Sequence, residues 1–114
     1  MSELNQYLIC RLEDMTSPGS VGFSIQYQGQ AVEGFIVRTD DLIAAYQNHC
    51  PHTGANLNWM PDQFLTYDAD FIQCSIHGAL FRLNDGLCIR GPCLGRKLEN
   101  IAFSVESGQV YVNL

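Results

Sequence analysis

Short apolar or alternating runs, each closed by turn residues, recur along this 114-residue chain about every 8 to 12 positions, the spacing of an all-β sandwich or barrel. No long segment has the 3.6-residue period of an amphipathic helix. The pattern predicts strands over Tyr7 to Leu12, Gly22 to Tyr27, Glu33 to Thr39, Leu42 to Tyr46, Phe71 to Cys74, Ala79 to Leu83, Leu87 to Arg90, Ile101 to Glu106 and Val110 to Asn113. Turns are expected at Gln28-Gly29-Gln30, Asn84-Asp85-Gly86 and Ser107-Gly108, where glycine supplies the positive φ of a tight hairpin.

The length suits one domain over residues 1–114, with a single hydrophobic core and no room for a separate catalytic domain. Hydrophobic residues make up 46% and charged residues 16% of the chain, a composition that folds rather than staying disordered. Twelve acidic and six basic residues give a net charge of −6, which argues against nucleic-acid and anionic-membrane binding. An acidic face would instead steer a basic protein partner. The first residues lack a basic region followed by an apolar export segment, and nowhere do 18 apolar residues run together. A soluble, cytoplasmic protein is the expectation.

The strand rhythm breaks between Asn48 and Asp70, which hold Pro51, Gly54 and Pro61, and a loop of that length is uncommon unless it is functional. It opens with Cys-Pro-His-Thr-Gly from Cys50, echoed by Cys-Ser-Ile-His-Gly from Cys74, with 21 residues between His52 and Cys74. Five cysteines in a chain with no sign of export point to metal ligation rather than a disulfide framework. Thiolate and imidazole suit zinc and iron–sulfur centres alike. Each segment here offers one of each, as a binuclear cluster requires if both loops are to grip both metals. Gly54 and Gly78 would let backbone amides approach inorganic sulfide.

With CPHTG, CSIHGALF and the later GPC turn on the page, the chain resembles the Rieske 2Fe-2S family, most specifically between Asn48 and Cys93. The resemblance implies three stacked antiparallel sheets, an incomplete barrel, with a cluster-binding part over about residues 48–94. It implies that Cys50 and Cys74 hold an inner iron, that His52 and His77 hold an outer one, and that the Gly-Pro turn covers the cluster from a third side. The gap of 21 residues exceeds the family's usual spacing, so a bulge is expected between Asn58 and Asp70. The additional cysteine pair of respiratory Rieske subunits would fall at Ala55 and Ile76, which places the resemblance nearest soluble Rieske-type ferredoxins.

Two imidazoles in place of two thiolates remove two negative charges, raising the potential into a range of about −150 to +300 mV. Serine and tyrosine donors of high-potential members are replaced here by Ala79 and Phe81, so the low end of that range is expected. The implied function is one-electron transfer from a flavin-dependent reductase to an oxygenase or related acceptor. Oxygenase chemistry of its own needs a mononuclear iron site, and beyond the two cluster histidines only His49 remains. A zinc-stabilised interaction module and a cluster-bearing accessory or redox-sensing subunit are the alternatives. His49 is expected at the surface, Cys10, Cys88 and Cys93 in the core, and Trp59 under the loop.

Overall fold

The computed structural model describes residues 6–51, 56–58, 60, 62–75 and 78–114. Nine strands form three three-stranded antiparallel sheets, and no barrel closes among the described residues. The first sheet, in order β1-β9-β8, comprises β1 (Gln6–Arg11), β8 (Phe103–Glu106) and β9 (Gln109–Asn113). The second is the meander β2 (Gly19–Tyr27), β3 (Gln30–Arg38) and β4 (Ile43–Gln47). The third is the meander β5 (Phe71–Gln73), β6 (Leu80–Arg82) and β7 (Cys88–Arg90).

All nine expected strands form, with ends that coincide or are displaced by up to three residues. β2 and β3 begin earlier than their hydrophobic pattern indicates, because one unbroken ladder runs from the Gly19–Arg38 pair to the Tyr27–Gln30 pair. Gln30 therefore belongs to β3, and the turn contains only Gln28 and Gly29, at φ 51° and 80°. Ser107 and Gly108, at φ 52° and 76°, join β8 to β9 in the same way. Positive φ at both central positions is the type I′ geometry whose twist matches the flanking strands.

The second sheet is the middle layer. Phe35, Val37, Ala44 and Tyr46 face one core with residues of the third sheet, whereas Ile36, Ala45 and Ile25 face another with Val110, Val112 and Ile101. Successive side chains of a strand point to opposite faces, so burial on both sides explains the uninterrupted apolar run Phe35-Ile36-Val37. Gly34 is required there: a Cβ would lie 2.5 Å from the Phe23 ring and 2.8 Å from the Tyr46 carbonyl oxygen.

The expected bulge is an anchored excursion. Phe64 is buried and stacks on Phe35 with ring centroids 4.2 Å apart and planes 10° from parallel. The Asp62 carboxylate accepts the Gly22 amide at 2.7 Å, and Ser20 Oγ donates to the Asp62 carbonyl at 2.7 Å. Leu65 bridges to Ile72, leaving Tyr67 exposed at the apex.

Candidate metal centre

Two connections form the centre: residues 48–70 run from the end of β4 to the start of β5, and residues 74–79 run from the end of β5 to the start of β6. Cys50, on the first, and Cys74, on the second, are 1% and 0% exposed and belong to one buried cluster. Their burial follows from chain direction, since β4 and β5 each deliver a cysteine just past their last paired residue into the core shared with Phe81, Cys88 and Cys93. His52 and His77 lie outside the described residues, as do Gly54, Ala55, Trp59 and Ile76.

The first connection is held by Asn48, 8% exposed and the buried polar residue of the described set. Its Oδ1 accepts the Leu57 amide at 2.7 Å, its Nδ2 donates to Asn58 Oδ1 at 2.8 Å, and its own amide donates to the Glu33 carbonyl at 2.9 Å. The Ser75 amide then donates to the Leu57 carbonyl at 2.8 Å, tying the second connection to the first. Within the second, the Gly78 amide reaches the Cys74 carbonyl at 3.0 Å, and the Cys74 amide reaches the Ala79 carbonyl at 2.9 Å. Gly78 adopts φ 68°, favoured by glycine, and no described residue beyond its chain neighbours comes within 4 Å of where a Cβ would stand.

A third segment touches both. Gly91, at φ 107°, packs so closely that a Cβ would lie 2.9 Å from the Ala79 Cα. Arg96 Nη1 donates to the Pro51 carbonyl at 3.0 Å, immediately after Cys50. Cys93 is buried; its Sγ donates to Cys88 Sγ at 3.0 Å, and Cys88 Sγ donates to the Arg90 carbonyl at 3.2 Å. Burial, the contact with Cys88 and the nearby Cys88 and Cys50 push the Cys93 thiol up to about 12, so it is a neutral thiol at physiological pH.

Cys88 and Cys93 thus occupy the core as expected, and His49 is exposed. Cys10 lies on β1 but is only partly buried, at the margin of the second core, and not enclosed as expected. Sequence patterning singled out neither Asn48 nor Arg96, whose partners are distant in the chain and leave no local signal. The donor chemistry fits an iron–sulfur group: two buried thiols on two mutually tied connections.

The Rieske [2Fe-2S] domain model matches residues 5–109. The chain belongs to the Rieske [2Fe-2S] domain family. This assignment implies one Rieske-type [2Fe-2S] cluster and decides the choice that ligand type had left open, in favour of iron–sulfur over zinc. A comparison with curated proteins finds no match. Among solved structures, the Rieske domain is similar to a chain in a complex of reduced oxygenase and oxidized ferredoxin in carbazole 1,9a-dioxygenase, at 25% identity and a TM-score of 0.72, covering 94% of this chain and 91% of that one. It is also similar to the ferredoxin of carbazole 1,9a-dioxygenase from Nocardioides aromaticivorans IC177, at 20% identity and a TM-score of 0.70, covering 95% and 96% of the two chains. A Sphingomonas yanoikuyae B1 ferredoxin aligns over 96% of this chain and 99% of its own, at 21% identity and a TM-score of 0.71. These likenesses share the stacked-sheet fold. Among the described residues no helix is long and apolar enough to cross a membrane.

Proposed function

We propose that this chain is a one-electron carrier, a single Rieske domain over residues 1–114, in which Cys50 and Cys74 hold one iron of the cluster and His52 and His77 the other. The observation that carries this is the pair of fully buried thiols on two connections tied by Ser75 and Leu57 in a Rieske-family chain. When bound, the cluster supplies reversible one-electron chemistry. The protein's part is to bury the thiol side, hold the first connection through Asn48, tie the second to it through Ser75 and Leu57, and keep Cys93 protonated beside Cys50. Carrier rather than oxygenase is supported by the extent of the matches, which run over 96% and 99% of ferredoxin chains but 29% of a terminal oxygenase chain.

The donor in this reading is a flavin-dependent reductase and the acceptor a terminal oxygenase, supported by the similar chain found in complex with an oxygenase. A cytoplasmic setting is supported by the free thiols of Cys10, Cys88 and Cys93. The test is iron and acid-labile sulfide analysis with an EPR spectrum of the dithionite-reduced protein. Two irons and two sulfides per chain are expected, lost in Cys74→Ser and His77→Ala. Bound zinc without sulfide, or a cluster that survives both substitutions, would refute the assignment.

A further inference from the structure

The net charge of −6 suggests a molecule that attracts basic partners, but the charge is not spread evenly. Residues 71–98 hold four of the six cations and one of the twelve acids, a segment charge of +3 against −9 for the rest. That acid, Asp85, is paired: its carboxylate accepts from Arg82 Nε at 3.0 Å and also from Arg82 Nη2. Arg90, Arg96 and Lys97 form no ion pair among the described residues, and all three are exposed.

They sit on one finger. β7 rises through Arg90, turns at Gly91–Leu94, where the Leu94 amide donates to the Gly91 carbonyl at 3.2 Å, and returns through Arg96 and Lys97. The return is held against β7 by the Gly95 amide to the Cys88 carbonyl at 3.0 Å, the Cys88 amide to the Arg96 carbonyl at 2.8 Å and the Leu87–Lys97 bridge. At its apex Leu94 is 67% exposed, an apolar side chain on the same short segment as Arg90, Arg96 and Lys97. The finger rests on Ala79 through Gly91 and on Pro51 through Arg96, so it stands against both connections of the metal centre. Lys97 also lines a groove of about 320 Å³ with His49, Pro51 and a single acid, Glu99.

We propose that the finger of residues 90–97 is the docking surface for an acidic protein partner, with Leu94 as the apolar anchor and Arg90, Arg96 and Lys97 as its positive rim. This rests on the electron-carrier function above and names the partner's surface chemistry. The rest of the chain carries a net charge of −9 and repels such a partner, so opposite signs on one chain orient the encounter as well as attract it. A small apolar centre with a charged rim suits a brief redox encounter.

Two measurements on the cluster-loaded protein test this without the natural partner. Ferricyanide, a trianion, reports the charge near the point of electron exit, and immobilised polyaspartate reports the patch independently of the cluster. Oxidation of the reduced protein by ferricyanide should slow about 5-fold as ionic strength rises from about 10 to about 100 mM, and polyaspartate should retain the protein at low salt. In Arg90→Glu/Lys97→Glu the salt dependence should reverse and retention should disappear, with the reduced EPR spectrum unchanged. A ferricyanide rate that rises with salt in the unaltered protein, as the net charge alone demands, overturns the proposal. So does tighter retention by a DNA oligonucleotide or by anionic lipid vesicles than by polyaspartate. A protein lacking the EPR signal refutes the electron-carrier function instead, and retention alone then decides the patch.

Discussion

Ala79 and Phe81 show how much one residue can settle. Both are fully buried and bring no hydroxyl to the metal centre. Ala79 meets the centre through its backbone, accepting the Cys74 amide at 2.9 Å, while its Cα supports Gly91. A serine keeps the Cβ where it is and adds a donor, which stabilises the more negative reduced cluster. Ala79→Ser is therefore expected to raise the midpoint by about 40 mV, equivalent to a net hydrogen bond of about 1 kcal/mol. A redox titration followed by EPR checks this, and an unchanged or lowered midpoint would count against a sulfur-directed donor. The position of these two residues after the second cysteine was legible in the chain; their contact with the Gly91 turn was not, because that turn is brought in from another strand.

At the scale of elements, the strands and both type I′ hairpins could be read from alternation and from Gly29 and Gly108, since those signals act between neighbours. The connection over residues 48–70 could not. It looks structureless because its order comes from single contacts that follow no period: Asn48 with Leu57 within the connection, Asp62 with Gly22, and Phe64 with Phe35. Asn48→Ala would orphan the buried Leu57 amide, at a cost of about 2 kcal/mol. The expected result is a lower denaturation midpoint together with faster loss of cluster absorbance in chelator. Asn48→Asp retains the acceptor for Leu57 but gives up the donation to Asn58 and buries a carboxylate, so it should lower the midpoint as well.

For the whole molecule, the second sheet is shared by two cores, one holding Cys50 and Cys74 and the other closed by the first sheet. Layers joined through one buried sheet cannot melt separately without exposing its apolar face. Far-ultraviolet circular dichroism and cluster absorbance should fall in a single coincident transition. Phe64→Ala should move both by the same amount, for a loss of about 3 to 5 kcal/mol. Two separated transitions would show that the metal-binding part unfolds as its own unit. Charge behaves differently at this scale: the total of −6 is set by composition, but the basic finger on an acidic body appears only once residues 90–97 fold back beside Pro51 and Ala79.

The sequence by itself determined the all-β class, the nine strands, the hairpin turns and the Cys/His pattern of the Rieske family, because alternation, turn chemistry and ligand spacing are properties of residues close together in the chain. Only the tertiary structure decided which apolar runs are covered on both faces, how Asn48 and Phe64 order the long connection, and where the cations gather beside the buried cysteines. Each of those depends on contacts between residues far apart in sequence, and such contacts leave no periodic trace in the chain that makes them.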